Sequence, residues 1–183
     1  MITPAEGILL IEENFKKDPN FLRTVVFLCE HEAEGTVGFV LNKLYEKKLG
    51  DLMSDFDDTS IPVYVGGPVQ MDSIHFLHEY PDLISGGQEV MPGVYWGGNF
   101  ETLSILIKTN SIDLNKVRFF IGYSGWSAGQ LENELQYKSW LTVSATRKIV
   151  FHPKSGEIWK ESLRLLGGEY EMMINFPIDP QLN

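Results

Sequence analysis

Five residues in the second half of the chain, Gly125-Trp126-Ser127-Ala128-Gly129, fit the G-x-S-x-G pattern of a nucleophilic serine. Such a serine needs a histidine as its base and an acid that orients the imidazole, both later in the chain. Only His152 follows Ser127, and no aspartate lies between the two. Glu132 and Glu134 lie on the helix that Ser127 is predicted to open, a poor position from which to orient a distant imidazole. A structural role for Ser127, as the N-cap of that helix, is therefore favoured over a catalytic one.

The histidines and glycines give weaker chemical signals. His75 and His78 are three residues apart in a predicted strand, so their side chains face opposite sides and do not converge on a metal. Glu30-His31-Glu32 lacks the histidine pair or cysteine set of a recognisable metal site. Gly97-Gly98-Asn99 opens a helix and is the nearest approach to an anion site, but a tight turn is the favoured interpretation. The sequence thus predicts no catalytic set, no metal and no cofactor.

The elements that position the G-x-S-x-G residues are a strand, a turn and a helix. Residues 117–123 form a nearly continuous run of β-branched and aromatic side chains, which is typical of a central strand buried on both faces. Gly122 and Gly125 bracket the predicted turn, where the backbone needs a positive φ or a close approach to a neighbour. A helix over 127–137 follows, and Ser127 with Gln130 three residues later predicts a capping box at its start.

The predicted helix has one apolar face. Leu131 and Leu135 are spaced i, i+4, so we expect both to pack on the sheet, with Glu132 and Glu134 in solvent. Trp126 and Leu131 occupy the two positions of a hydrophobic staple, which fixes the entry of the chain into the helix. Trp126 is therefore predicted to be a buried anchor.

Strands and helices are predicted along the whole chain, and strands outnumber helices. The strand predictions cover 7–12, 24–29, 36–41, 62–65, 73–77, 94–96, 117–123, 140–144 and 148–151, and the helix predictions cover 49–56, 99–109, 127–137 and a last helix that ends before Gly167. Strand 73–77 is predicted to be the antiparallel neighbour of 62–65. Residues 79–93 are predicted to form a long mobile surface segment, and the tail after Glu169 is predicted to be irregular. The pattern favours a single α+β domain over 1–183 with a mixed, largely antiparallel sheet and about four helices.

Composition places the chain among ordinary globular proteins. Hydrophobic residues make up 43% and charged residues 22%, and no apolar run approaches the length of a membrane-spanning helix. One cysteine, Cys29, fits a reducing compartment, and no signal peptide is recognisable, so we expect a cytoplasmic protein that does not bind membranes. The net charge of −10 opposes direct nucleic-acid binding. The two basic clusters, Lys16, Lys17 and Arg23, and Lys43, Lys47 and Lys48, are predicted to be solvated faces.

Several motifs in a fixed order resemble the YqgE/AlgH family. They are RTVVFLCEH at 23–31, GTVGFVLNK at 35–43, VGGPV at 65–69, GYSGWSAGQLE at 122–132 and Trp140-Leu141. The resemblance covers almost the whole chain and implies a small bacterial cytosolic α+β protein. One branch of the family is described as a transcriptional regulator of alginate production. This chain departs from the family pattern after Asn42, where Lys43 is followed by Leu44 rather than by proline, and Glu32 stands where a polar amide or similar residue is expected.

Two functions follow as hypotheses. The first is a non-enzymatic binding or regulatory protein that acts through an unknown protein partner or a small ligand. The alternative is an enzyme with a pocket near the turns Gly66-Gly67-Pro68 and Gly125-Trp126-Ser127. The residues predicted to contact a ligand or partner are Arg23, Asn42, Gly66, Gly67, Pro68, Tyr123, Gly125, Trp126, Gln130 and Glu132.

Overall fold

The computed structural model describes residues 2–13, 23–56 and 60–175. Its strands are β1 (Ile8–Glu12), β2 (Val25–Glu32), β3 (Gly35–Val40), β4 (Leu44–Lys48), β5 (Pro62–Val65), β6 (Val69–His78), β7 (Gln88–Met91), β8 (Val94–Trp96), β9 (Val117–Ser127) and β10 (Trp140–Ser144). Its α-helices are α1 (Leu49–Leu52), α2 (Phe100–Lys108), α3 (Gln130–Gln136), α4 (Arg147–Val150), α5 (Ile158–Leu166) and α6 (Tyr170–Met173). The predictions for Lys16, Lys17 and the end of the tail lie outside the described residues.

The ten strands form one sheet with β9 at its centre. Along the main path the order is β10-β1-β2-β3-β9-β6-β8-β7, and β4 and β5 form a branch that joins β9. One edge of β9 pairs with β6, and the other pairs with β5 at Phe119–Ile121 and then with β3 at Ser124–Ser127. The β5–β9 pair is parallel and the other pairs are antiparallel, which confirms the α+β fold with a mixed, largely antiparallel sheet. The expected pairing of 62–65 with 73–77 was wrong, because β9 lies between β5 and β6.

Both faces of the sheet are covered. On one face, alternate residues such as Phe27 and Phe39 pack with Trp159 and Leu163 of α5. On the opposite face, Leu10 and Val26 belong to one buried cluster with Trp126 and with Leu131 of α3. Full burial of each large apolar side chain contributes about 1.5–3 kcal/mol, so these two layers supply much of the free energy of folding.

The central strand β9 is buried on both faces, as the sequence predicts. Phe119 packs in a cluster with Leu103 and Ile107 of α2. Phe120, which points to the other side, packs in the cluster that contains Trp159. Helix α2 begins as predicted, since Oδ1 of its N-cap Asn99 accepts the backbone N–H of Thr102 at 2.9 Å.

Other local predictions were wrong. The strand predicted over 148–151 is absent: residues 147–150 form helix α4, because Thr146 Oγ1 accepts the Ile149 N–H at 3.3 Å and starts a helical turn. Residues 88–91 pair with β8 as strand β7, so 79–93 is not one long loop. Residues 49–56 divide into α1 and a 3₁₀ turn, and β4 and α6 have no counterpart in the prediction. The described residues therefore contain six α-helices rather than about four.

Candidate functional site

The loop Gly66-Gly67-Pro68 lies directly against the main chain of β9. A Cβ atom on Gly67 would lie 2.2 Å from the carbonyl carbon of Tyr123, and one on Gly66 would lie 2.4 Å from the carbonyl oxygen of Gly122. Only glycine permits so close an approach of two backbones. Gly122 itself has φ 66°, the left-handed conformation that glycine adopts without strain. The two predicted glycine-bearing segments are therefore neighbours in the fold.

The predicted turn after Tyr123 is the second half of β9. Pairing with β3 continues through Gly35 and Ser127, so Ser127 is the last residue of the strand and not a helix N-cap. The N-cap of α3 is Gly129, with φ 75°. Half of the expected capping box is nevertheless present, because Gln130 Oε1 accepts the Ser127 backbone N–H at 3.0 Å and its hydroxyl at 3.3 Å.

The carboxylate of Glu134 binds two indoles. Its Oε2 accepts the Trp126 Nε1–H at 3.0 Å and the Trp140 Nε1–H at 2.8 Å. Its Oε1 accepts the Gln130 side-chain amide at 3.2 Å. The prediction that Glu134 points into solvent was therefore wrong. Trp126 near the end of β9 and Trp140 at the start of β10 both lie within hydrogen-bond distance of its carboxylate.

The apolar face of α3 is as predicted. Leu131 is fully buried and Leu135 is partly buried in the same cluster. Trp126 belongs to that cluster too and is only 9% exposed, so it is the buried anchor expected from its position next to the helix. Its ring meets that of Trp140 edge to face, with the centroids 6.4 Å apart.

Beside the two indoles lies an open pocket of about 560 Å³, which we call the tryptophan pocket. Its walls come from β2, β3, β5, β6, β9, β10 and α3, and most of its lining is apolar. It is lined by Thr24, Val26, Val40, Lys43, Val65, Gly67, Pro68, Val69, Met71, Ser124, Gly125, Trp126, Gln130, Glu134 and Trp140. Such a concave site on rigid strands, with few polar groups, is typical of small-molecule binding.

The structure brings together about half of the residues predicted to contact a ligand. Five of them line the tryptophan pocket: Gly67, Pro68, Gly125, Trp126 and Gln130. Gly66 lies behind the wall, against Gly122 and the Phe39 ring. Tyr123 lines a neighbouring acidic hollow of about 390 Å³ together with Glu30, Glu32 and Glu34.

The other predicted contact residues lie elsewhere. Asn42 joins two segments of backbone, because its Oδ1 accepts the Val25 N–H at 3.0 Å and its Nδ2 donates to the Arg23 carbonyl at 2.7 Å. The Arg23 guanidinium lies over the Trp159 ring, 4.6 Å from its centroid. Glu132 is exposed and lies 3.5 Å from His31 Nε2. None of Arg23, Asn42 and Glu132 lines the tryptophan pocket.

Ten of the fifteen lining residues did not emerge as contact candidates from the sequence, among them Met71, Glu134 and Trp140. Two signals pointed to this region, the predicted anchor Trp126 and the acidic residues of the helix that follows it. They could not be combined without the register that places β10 beside β1.

The hydrogen bonds of His78 hold it in the fold. His78 is buried, and it accepts the Tyr80 N–H at Nδ1 and donates from Nε2 to the Gly97 carbonyl, over 3.1 and 2.8 Å. Burial lowers the pKa of His78, although the Gly97 contact opposes the change. Within the described ranges, no histidine bonds to the Ser127 hydroxyl, and no three His, Cys, Asp or Glu side chains lie together as metal ligands.

Comparison with known proteins agrees with the fold. The chain is 48% identical over 177 residues to a UPF0301 protein of Chlorobaculum tepidum, a match that covers 97% of this chain and 95% of that protein. It is 37% identical over 180 residues to a UPF0301 protein of Cytophaga hutchinsonii, covering 98% and 99% of the two chains. The solution structure of the AlgH protein from Pseudomonas aeruginosa superimposes with a TM-score of 0.75 at 28% identity, covering 97% and 98%.

A crystal structure of a Corynebacterium diphtheriae protein superimposes with a TM-score of 0.77 at 20% identity, covering 96% of this chain and 94% of that one. At this identity the likeness concerns the fold alone. The sheet with β9 at its centre and the helices that cover it define an α+β domain. The model of the AlgH-like family, DUF179, matches residues 9–171. The chain belongs to this AlgH-like family. Across the described ranges, every helix is too short or too polar to span a membrane.

Proposed function

We propose that the protein is a non-enzymatic binding protein of the cytoplasm, and that its ligand is a small apolar molecule held in the tryptophan pocket. The observation that carries the proposal is the pocket itself, about 560 Å³ in volume, with the Trp126 and Trp140 indoles fixed by one carboxylate. Ligand pockets of about 300–1,000 Å³ take molecules of drug-like size. Because the indoles are held in place before any ligand arrives, little entropy is lost on binding.

The polar groups around the pocket support binding over catalysis. A general acid or base must reach a proton of the substrate. Glu134 already accepts three hydrogen bonds, and the Ser124 hydroxyl donates to the Gly66 carbonyl at 3.0 Å. Both ends of the Gln130 side chain are also engaged. These contacts hold the walls, and Lys43 is the remaining charged residue of the lining.

The ligand can be tested with N-phenylnaphthylamine, a neutral apolar fluorophore. We expect saturable binding to the wild-type protein, with energy transfer from the indoles. Met71 is 40% exposed and lines the pocket, so Met71→Glu adds a charge there and is expected to weaken binding by about tenfold or more. Met172, 63% exposed on α6, offers the matched control Met172→Glu, which should bind like the wild type. Absence of saturable binding, or equal binding by Met71→Glu, would contradict the proposal.

Any role in transcription is proposed to pass through a protein partner. The net charge of −10 makes the long-range field repulsive to phosphate. Helices α2 and α3, which carry Glu101 and Glu132 in their first turns, do not present a basic recognition surface. In an anisotropy titration at low salt we expect weak or no binding of duplex DNA. Tight, salt-sensitive binding would show instead that the protein contacts DNA directly.

A further inference from the structure

A third cavity, of about 230 Å³, opens between the start of β9, strand β5 and the segment that follows α4. Its lining includes Ser60, Tyr64, Asn115, Arg118, Phe151 and Pro153, and it shares no residue with the tryptophan pocket. It has room for on the order of eight water molecules at about 30 Å³ each. We call it the Arg118 cavity.

Arg118 is an unusual residue for the centre of a sheet. It stands between Val117 and Phe119 in the central strand β9, and it is only 4% exposed. Its Nη1 donates to the His152 carbonyl at 2.9 Å and its Nη2 to the Leu41 carbonyl at 2.6 Å. The Tyr64 ring covers one face of the guanidinium, with the central carbon 3.7 Å from the ring centroid.

These contacts leave much of the guanidinium unsatisfied. An arginine has five N–H donors, and the two carbonyls take two of them. The Nε atom is buried without a hydrogen-bond partner. Throughout the described part of the chain, no carboxylate lies within ion-pair distance of Arg118.

A buried cation without a counter-charge is costly, and evolution usually pairs or replaces it. Burial lowers the pKa of Arg118, but only to about 10, so the side chain stays charged at neutral pH. The partial negative charges of the two carbonyls and of the Tyr64 ring offset part of the desolvation cost of Arg118. The contacts described above do not include a group with a full negative charge.

We propose that the Arg118 cavity binds a small monocarboxylate, whose oxygens accept free N–H groups of the guanidinium. Arginine pairs with a carboxylate through two parallel hydrogen bonds, which suits this planar donor. The apolar lining, including Phe151 and Pro153, fits the hydrocarbon part of such a ligand. Ser60 and Asn115 are exposed and lie at the mouth of the cavity, where they offer polar contacts to the ligand. A single buried cation matches a monoanion better than the double charge of a phosphate.

The experiment is an NMR titration of isotope-labelled full-length protein with benzoate. We expect saturable shifts of the Arg118 Nε–H signal and of the Asn115 and Val117 amides. Benzamide, which has the same shape without the charge, should cause no such shifts. Inorganic phosphate, added alone, should not produce them either.

Variants keep the test independent of folding. Arg118→Met removes the charge, but it breaks two contacts of the core and is interpreted only if its circular dichroism spectrum is native. Asn115→Trp adds bulk at the exposed mouth, leaves Arg118 in place and should weaken benzoate binding by about tenfold or more. Asn133→Trp, an exposed position on α3, is the matched control and should bind like the wild type.

Three results would overturn the assignment. They are the absence of an Arg118 response to benzoate in the folded wild-type protein, an equal response to benzamide, and phosphate binding in place of benzoate. The first would make Arg118 a purely structural crosslink between two carbonyls. N-phenylnaphthylamine binding at the tryptophan pocket is measured separately, so failure at one site is distinguishable from failure at the other.

Discussion

Trp126 and Trp140 donate their indole N–H groups to the same oxygen atom, Oε2 of Glu134, over 3.0 and 2.8 Å. The contact joins the end of β9 to the start of β10 across the helix between them. A carboxylate that accepts N–H groups forms stronger hydrogen bonds than a neutral acceptor does. This pair of bonds fixes one wall of the tryptophan pocket.

Glu134→Ala should destabilise the protein far more than Glu132→Ala. The first change leaves two partly buried indole N–H groups without their acceptor, at a cost of about 1.5–3 kcal/mol in the free energy of unfolding. Glu132 is exposed and its ion-pair partner among the described residues is His31, so its loss should cost less than about 0.5 kcal/mol. Urea unfolding of both variants measures the difference. Equal values would mean that the two indole contacts contribute nothing.

Trp126→Ala should be among the most damaging substitutions in this region. Removal of a buried aromatic side chain costs about 3–5 kcal/mol, a large share of the stability of a domain. Tyr137, 84% exposed just after α3, provides the control Tyr137→Ala, with an expected change within about 0.5 kcal/mol. The double variant of Trp126 and Glu134 should be less damaging than the sum of the single variants, because the two residues share one contact. A neutral Trp126→Ala would contradict the burial described above.

Ser127→Ala should be nearly neutral, within about 0.5 kcal/mol, because Gly129 and not Ser127 caps α3. Asn99→Ala is the positive control, since the Asn99 side chain caps α2 and its loss should cost about 1 kcal/mol. A fluorophosphonate probe should leave Ser127 unlabelled, as no histidine of the described ranges contacts its hydroxyl. Labelling that disappears in Ser127→Ala would identify a nucleophile.

The thiol of Cys29 should be unreactive in the folded protein. Cys29 is fully buried, and burial raises the pKa of its thiol, with further contributions from Glu6 and Glu30. The protonated thiol is thus favoured in the folded state, so stability is unaffected below the pKa of the unfolded thiol and falls as the pH rises above it. Ellman's reagent should react only in urea. Fast reaction without denaturant would show that the strand β2 opens readily.

The sequence was informative where one local signal dominates. The Asn99 cap, the apolar run of β9 and the i, i+4 leucines of α3 needed no knowledge of distant residues. The sequence was misleading where pairing between distant segments determines the secondary structure. Ser127, for example, is in a strand because it pairs with Gly35 of β3. Short runs such as 148–151, with three apolar residues, are ambiguous between strand and helix, and the Thr146 cap starts a helix there.

The candidate site was predictable in part for the same reason. Gly67 and Trp126 carry local signals, a close approach of backbones and an aromatic anchor at an element end. Glu134 and Arg118 do not, because their roles depend on which residues the sheet brings beside them. A lone arginine within the apolar run of β9 was nevertheless a visible exception in the sequence.

The pairing of β1 with β10 has a consequence for synthesis on the ribosome. β1 is synthesised first, but one of its two edges pairs with β10, where Trp140–Ser144 lie opposite Glu12–Ile8. Until those residues leave the exit tunnel, an apolar strand keeps a row of unpaired backbone groups that other chains can join. The growing protein therefore depends on its last strand to close its first, and a chaperone that shields nascent strands should raise its soluble yield.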